Sequence, residues 1–213
     1  MPHIDTHTTT QSVVIATWHL TETLPQLIAL WGNRPLPENF TTAKSEKRQC
    51  EILSTHLLLH AYFNREITLQ HAPNGAPVID DGYISISHTE QYVVIALHPT
   101  RLIGIDIERL GEKVNRVSTR FLAPAEWAAL PDETATPIDG ISARSIATHI
   151  AWSVKEATYK VFPSAVEFRK EIITAPITQL PSGIVTVELP SLNTTIEAHY
   201  TLYKGCSLAW VVE

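Results

Sequence analysis

The chain has 213 residues, of which 44% are hydrophobic and 18% are charged, and its formal net charge is -6. This length allows one large domain or two small ones, and the composition argues against a disordered or fibrous protein. The negative net charge gives no support to nucleic-acid binding. Neither of the two cysteines, Cys50 and Cys206, lies in a ligand-like cluster, so we expect buried thiols in a reducing compartment.

The sequence shows no sign of export or membrane insertion. Its first residues lack the basic region followed by an apolar run that marks a signal peptide. No apolar stretch approaches the roughly 18 residues that a membrane-spanning helix needs. We therefore expect a cytoplasmic protein that binds neither membranes nor nucleic acids.

The first half of the chain predicts two helices among several strands. β-Branched residues predict a strand at Ser12–Leu20, and a short helix follows at Thr23–Trp31. The strongest helix signal runs over Thr41–Phe63, with Thr41 or Thr42 as its cap. Next come a turn-rich segment and two strands, at His71–Gly82, Tyr83–Ser87 and Tyr92–His98.

The second half begins with a strand at Arg101–Glu108. Two short helices are predicted within Lys113–Leu130, the second starting at Pro124, because proline is favoured in a first turn. A polar loop at Pro131–Gly140 precedes a long helix at Ser142–Phe162. The remaining strands are predicted at 171–175, 183–189, 196–203 and 206–212.

The order of these elements determines the fold class. Each half has a long helix and a group of strands, without a regular alternation of strand and helix. This order favours an α+β fold over a doubly wound parallel sheet. We divide the chain into an N-terminal α/β half, residues 1–103, and a C-terminal α/β half, residues 104–213, and expect each to be a small antiparallel sheet packed with a long helix.

The helix predicted at Ser142–Phe162 has two unlike faces. At 100° per residue, one narrow stripe is apolar and predicts the core face; it consists of Ile146, Ile150, Val154, Ala157 and Val161. Trp152 and Tyr159 lie nearly opposite, close to Lys155 and Glu156. Taken alone, this second face fits an ordinary surface on which Glu156 and Lys160 form an i,i+4 pair.

The strand "LIGIDIE" carries two acidic residues on one face. Alternate strand residues share a face, so Gly104, Asp106 and Glu108 point one way and the three isoleucines the other. Two close carboxylates repel each other unless a cation lies between them, and Mg²⁺ favours carboxylate, water and phosphate oxygens. The alternative is a pair of solvated acids at a sheet edge, so the pair alone is a weak signal.

Histidines provide further candidates. "ISISH" ends a strand with Ser87 and His88, which could contact phosphate, although a lone histidine is more often structural. His56 and His60 have the i,i+4 spacing of zinc ligands, but no third ligand follows in sequence, so we interpret both as structural.

Together these motifs resemble one family. "IGIDIE" followed by "WSVKEATYK" is similar to the paired signature of 4′-phosphopantetheinyl transferases. "ISISHT" before this pair, "RFLAPAEW" within it and the early "KSEKRQCEILSTHLLL" resemble further family motifs. The likeness runs from Lys44 to Phe162 and is nearest to the monomeric, surfactin-synthetase-activating type, which implies a pseudo-two-fold monomer of two similar α/β halves.

The resemblance implies a reaction and its partners. A member of this family transfers 4′-phosphopantetheine from coenzyme A to a serine of an apo acyl or peptidyl carrier protein, with Mg²⁺, and releases 3′,5′-ADP. Carriers of this kind serve fatty acid and secondary metabolite biosynthesis, and the sequence does not identify which one is the acceptor.

The resemblance also implies site residues. The metal ligands would be Asp106, Glu108 and Glu156, and Glu156 would also be the general base. The groups that hold coenzyme A would be Lys155 and Lys160, which also stabilise developing charge, together with Lys44, Arg48, Ser87 and His88. Glu126 matches an acidic residue near the metal. We expect Trp152 and Tyr159 to pack at the junction of the two halves and to support the site rather than take part in the chemistry.

The chain departs from the family pattern at two places. Ala76 stands where many relatives have a lysine, and His56 lies about where they often have an arginine. Both departures bear on coenzyme A affinity rather than on the metal set. Two other functions stay open: a different Mg²⁺-dependent phosphate enzyme, such as a nucleotide hydrolase, and a non-catalytic carrier-binding module.

Overall fold

The computed structural model describes residues 3–132, 137–165 and 167–213. The chain divides into two compact units, Met1–Thr100 and Arg101–Glu213. The boundary predicted after residue 103 lies inside a strand that begins at Ile103. Residues 133–136 of the predicted polar loop fall outside the described residues.

The first unit combines a four-stranded antiparallel sheet with a long helix. Its strands are β1 (His3–Thr8), β2 (Val14–His19), β3 (Gln70–His71), β4 (Pro77–Val78), β5 (Tyr83–His88) and β6 (Tyr92–His98). Its helices are α1 (Leu24–Trp31), α2 (Glu38–Thr41) and α3 (Glu46–Phe63). The main sheet has the order β1-β2-β6-β5, while β3 and β4 form a separate ribbon within the segment predicted as turns.

The start of α3 differs from the prediction. Thr41 ends the short α2, and the cap of α3 is Ser45, whose hydroxyl accepts a hydrogen bond from the Arg48 backbone N–H at 3.2 Å. The predicted cap at Thr41 or Thr42 is therefore wrong, because a serine nearer the apolar part of the helix caps the exposed backbone N–H groups. The first strand, β1, was also not predicted, since Ile4 is its single apolar residue.

The second unit is a five-stranded antiparallel sheet covered by a long helix. Its strands are β7 (Ile103–Arg109), β8 (Ile173–Thr174), β9 (Ser182–Leu189), β10 (Thr194–Tyr203) and β11 (Cys206–Val212), in the order β7-β11-β10-β9-β8. Its helices are α4 (Glu112–Phe121), α5 (Pro124–Ala128), α6 (Ala143–Val161) and α7 (Phe168–Glu171), and a 3₁₀ turn spans Pro190–Leu192. The α+β class is confirmed, and no helix in the described part of the chain is long and apolar enough to cross a membrane.

The apolar stripe predicted for the long helix α6 is confirmed as its core face. Ile146, Ile150, Val154 and Ala157 are fully buried, and α6 packs against β7 and β11. Ser142 caps the helix by accepting a hydrogen bond from the Ser145 backbone N–H. Burial extends well beyond the stripe, however, and includes polar side chains that a surface helix would expose.

Gly104 is the point at which α6 comes closest to β7. A Cβ added to Gly104 would lie 1.9 Å from the carbonyl oxygen of Ala157, which is far inside van der Waals contact. The missing side chain therefore lets the helix backbone rest directly on the strand. Since Glu156 precedes Ala157, this contact also determines where Glu156 lies along the strand.

We predict that Gly104→Ala lowers the free energy of unfolding by about 3 kcal/mol or more, because the added methyl meets backbone that cannot rotate away. Urea unfolding monitored by circular dichroism measures this change. Gly111→Ala is the matched control: nothing lies within 4 Å of its added Cβ, and we expect a cost of about 1 kcal/mol or less. Equal costs for the two variants would contradict the close packing of α6 on β7.

Candidate active site

Three carboxylates lie close enough to interact electrostatically where α6 packs on β7. Asp106 and Glu108 lie on the same face of β7 as Gly104, which is the face that contacts α6. Asp106 is 7% exposed, whereas Glu108 and the α6 residue Glu156 are half-buried. The structure thus brings together the three side chains that the family resemblance assigns to the metal.

Burial and mutual repulsion disfavour the ionised forms of two of these acids. The pKa of Glu156 is raised to about 7, chiefly by burial and then by Asp106 and Glu108, with Lys160 opposing the shift. The pKa of Glu108 is raised by burial and by Asp106, against the effect of Lys113 and a hydrogen bond from the Trp152 side chain. The acids therefore share one electrostatic environment with an excess of negative charge.

Lys160 lies at the edge of this acidic cluster. Its ammonium donates to the carbonyl oxygen of Ile105 at 2.6 Å and to Oδ1 of Asp106 at 3.2 Å. About a quarter of its side chain is exposed. It can therefore exchange a contact with Asp106 for one with an incoming anion, as the prediction for Lys160 requires.

The donor set fits Mg²⁺, which prefers oxygen ligands. Among the residues that the structure describes, no three His, Cys, Asp or Glu side chains are already arranged around a common metal position. Magnesium does not need such a cage, since it usually takes one or two carboxylates and completes its octahedron with water and substrate phosphate. Asp106, Glu108 and Glu156 could supply the carboxylates, and a cation there would relieve their repulsion.

The prediction that Lys155 contacts phosphate is wrong. Its side chain is 0% exposed. Its ammonium lies 2.5–3.0 Å from four acceptors: the carbonyl oxygens of Phe121, Phe168 and Ile172, and Oε2 of Glu126. An ammonium has three protons, so these acceptors use its full donor capacity. Lys155 therefore acts as a structural cross-link and cannot reach a ligand.

Glu126 completes this buried pair. In addition to the hydrogen bond from Lys155, Oε2 of Glu126 accepts a hydrogen bond from the backbone N–H of Ala123 at 2.7 Å. This second bond caps the N-terminus of α5. Oε1 of Glu126 accepts the backbone N–H and the hydroxyl of Thr174 at 2.8 and 2.7 Å. Through these contacts Glu126 holds α5, α6 and β8 together.

Phe121, Trp152 and Phe168 line a groove beside Glu156, and Tyr159 packs behind Phe168. The rings of Trp152 and Tyr159 lie 5.9 and 5.6 Å from the ring of Phe168, and Trp152 also contacts Phe121 at 4.9 Å. The groove has a volume of about 540 Å³. Sequence reasoning missed Phe168, which belongs to the short helix α7; the signal available was a lone aromatic residue between charged neighbours.

In the first unit, two of the predicted coenzyme A ligands lie together. Nη1 of Arg48 is 3.0 Å from Nε2 of His88. Ser87 is buried beside His88 on β5, and Lys44 is exposed just before α3. Sequence reasoning missed Glu51, whose carboxylate contacts both Arg48 and His88, although its i,i+3 spacing from Arg48 was a usable signal.

His56 and His60, for which the sequence predicts a structural role, both pack against Trp31. Ring centroids of His56 and His60 lie 5.8 and 5.3 Å from the Trp31 ring, and Nδ1 of His60 accepts a hydrogen bond from Arg34 at 2.7 Å. The pKa of His56 is lowered to about 4, chiefly by burial and then by His60 and His71. A buried, neutral imidazole packed on an indole has a structural role.

Sequence comparison covers the second unit. The family model described as the 4'-phosphopantetheinyl transferase superfamily matches residues 102–210, slightly more than half of the chain. This span contains Asp106, Glu108 and Glu156, and also the Glu126–Lys155 pair. No curated protein matches the chain in sequence.

We predict that Lys155→Met lowers the free energy of unfolding by about 3–5 kcal/mol, because it leaves the Glu126 carboxylate buried without its cation. The matched variant is Lys170→Met, which removes an exposed ammonium from an exposed ion pair with Glu167 and should change the free energy of unfolding little. Denaturant titration of both variants checks this. If Lys155→Met is as stable as the parent protein, Lys155 is not the cross-link described here.

We also predict a pH-dependent effect of Glu156→Gln in protein kept metal-free with a chelator. The folded-state pKa of Glu156 is about 7, above its ordinary value of 4.5, so the protonated side chain stabilises the folded protein at low pH. This stabilisation is lost as the pH rises through 7. The glutamine keeps the neutral form. Its melting temperature should therefore exceed that of the parent at pH 8 and match it at pH 4.5.

The control for this pH experiment is Glu197→Gln, which changes an exposed glutamate of the same unit. Its melting temperature should track that of the parent at both pH values. A glutamine at position 156 that destabilises the metal-free protein at pH 8 would contradict the repulsion among the three acids.

Proposed function

Since the chain belongs to the 4′-phosphopantetheinyl transferase superfamily, we propose that it transfers 4′-phosphopantetheine from coenzyme A to a serine of an apo carrier protein and releases 3′,5′-ADP. The observation that carries this proposal is the position of Glu156, which lies close to Asp106 and Glu108 with Lys160 at the same edge. We further propose the monomeric, surfactin-synthetase-activating type, because each of the two units contains an antiparallel sheet and a long helix.

In the proposed reaction, the serine hydroxyl attacks the phosphorus that carries the pantetheine. A serine Oγ–P bond forms, the P–O bond to 3′,5′-ADP breaks, and the serine proton passes to Glu156. Glu156 is half-buried and lines the groove, so its carboxylate could accept the proton directly or through one water. Lys160 would neutralise charge that develops on the phosphate oxygens.

Asp106, Glu108 and Glu156 would hold Mg²⁺ in this proposal. When bound, the metal would supply neutralisation of charge on the pyrophosphate oxygens of coenzyme A. Asp106 is the most buried of the three acids and is oriented by Lys160, so it would be the most rigid ligand. Lys44, Arg48, Ser87 and His88 are proposed to contact coenzyme A, whereas Lys155 is not.

The acceptor serine must reach Glu156, so the carrier must dock beside it. The groove next to Glu156 is lined by Phe121 and Phe168 and by exposed charged residues, of which Arg120, Arg169 and Lys170 are basic and Glu167 is acidic. The carrier proteins that this family modifies are generally acidic, and a surplus of basic residues beside an apolar patch suits such a partner although this chain is acidic overall. We propose this groove as the carrier-docking surface.

The experiment is incubation of the protein with coenzyme A, Mg²⁺ and a panel of apo acyl and peptidyl carriers, followed by intact-mass measurement. We expect a mass gain of one phosphopantetheine on at least one carrier. Asp106→Ala and Glu156→Ala should each reduce the rate by roughly 10²–10⁴-fold, since general-base and charge-stabilising groups contribute on that order. The control Glu197→Ala should retain the parent's rate.

Full activity in Asp106→Ala or Glu156→Ala, with folding verified by circular dichroism, would contradict the assigned site. Release of inorganic phosphate without a mass gain on any carrier would instead identify a hydrolase. Carrier binding without modification, in the presence of coenzyme A and Mg²⁺, would identify a non-catalytic binding module.

A further inference from the structure

A buried glutamate, Glu51, contacts both Arg48 and His88 in the first unit. Glu51 lies on α3 and is 4% exposed. Its Oε2 is 3.1 Å from Nη1 of Arg48, one turn earlier on the same helix, and its Oε1 is 3.2 Å from Nδ1 of His88, at the end of β5. The carboxylate thus bridges a helix and a strand.

The chemistry of these contacts determines the tautomer of His88. A guanidinium can only donate, so Nε2 of His88 accepts the hydrogen bond from Nη1 of Arg48. The proton of the neutral ring is then on Nδ1, which donates to Oε1 of Glu51. Each member of the trio therefore has a defined role: Arg48 donates twice, His88 donates once and accepts once, and Glu51 accepts twice.

This arrangement also orients Arg48. Both protons of Nη1 are used, one by Glu51 and one by His88. The other edge of the guanidinium, formed by Nε and Nη2, is the fork that binds a phosphate in two parallel hydrogen bonds. Arg48 is 47% exposed, so this edge is accessible, while the Glu51 contact limits the rotation of the side chain.

We propose that Glu51 is a positioning residue that, together with His88, holds Arg48 ready for an anionic ligand. The inference rests on the proposed function in one respect: it takes a phosphate group of coenzyme A as that ligand. Glu51 does not touch the ligand itself, since its buried carboxylate would repel it. It acts by directing the free edge of Arg48 outward and by holding the imidazole in one tautomer.

A glutamine at position 51 cannot replace the glutamate. Its amide has one acceptor and one donor group, whereas the site needs two acceptors. If its NH₂ faces Arg48, two donors meet. If its NH₂ faces His88, Nδ1 must become an acceptor, and the proton then on Nε2 meets the Arg48 donor. Either way, one contact of the trio is lost with almost no change in volume.

The test compares Glu51→Gln with Glu46→Gln, which removes the same charge from an exposed position in the first turn of the same helix. We expect Glu51→Gln to raise the Kd for coenzyme A, measured by titration calorimetry, at least tenfold. Its KM for coenzyme A should rise equally, with kcat within twofold of the parent. Glu46→Gln should leave Kd and KM within twofold.

A second measurement needs no substitution at Glu51. Long-range ¹H–¹⁵N spectra of the parent protein, with the His88 signals assigned by comparison with His88→Asn, report the tautomer directly. We expect the proton on Nδ1 in the parent, because Nε2 must accept from Arg48 while Nδ1 donates to Glu51.

The two proposals fail separately. A parent protein that binds coenzyme A but modifies no carrier overturns the proposed transfer and not the role of Glu51. An unchanged Kd in Glu51→Gln, an equal rise in Glu46→Gln, or a parent His88 that carries its proton on Nε2 overturns the positioning role, whatever the transfer assay gives.

Discussion

The direct backbone contact between α6 and β7 is the constraint on which the second unit depends. It requires glycine at position 104, because any side chain there would occupy the space of the Ala157 carbonyl. It also brings Glu156 over the strand face that holds Asp106 and Glu108. Clustering these acids is unfavourable. Burial of the apolar stripe of α6 offsets that cost, because each large aliphatic side chain that is buried contributes about 1.5–3 kcal/mol.

One short motif on α6 has both structural and chemical roles. Lys155 and Glu156 are neighbours in sequence, but about 100° separates them around the helix. Lys155 points into the core and joins α5 and α7 to α6 through Glu126 and three carbonyl oxygens. Since Phe168 lies on α7 and lines the groove beside Glu156, the buried lysine determines the shape of the surface that the glutamate serves.

Local patterns were enough to predict some of this arrangement. The 3.6-residue period identified the core stripe of α6, and strand alternation placed Asp106 and Glu108 on one face. The burial of Lys155 could not be predicted in this way, because its acceptors come from segments up to 34 residues away in the chain. The cap of α3 was misplaced for a similar reason: Thr41, Thr42 and Ser45 are all suitable caps, and the choice depends on how the preceding residues fold into α2.

Buried carboxylates are treated differently at three places in the described part of the chain. Glu126 is matched by Lys155, and Glu51 by Arg48 and His88, so each has cationic or donor partners within hydrogen-bonding distance. The group formed by Asp106, Glu108 and Glu156 has Lys160 at its edge. Lys113 opposes the rise in the pKa of Glu108. Burial first, and then repulsion from Asp106 and Glu108, raises the pKa of Glu156 against the opposing effect of Lys160. Because the same fold pairs its other buried acids closely, the repulsion among these three supports the proposed Mg²⁺ site.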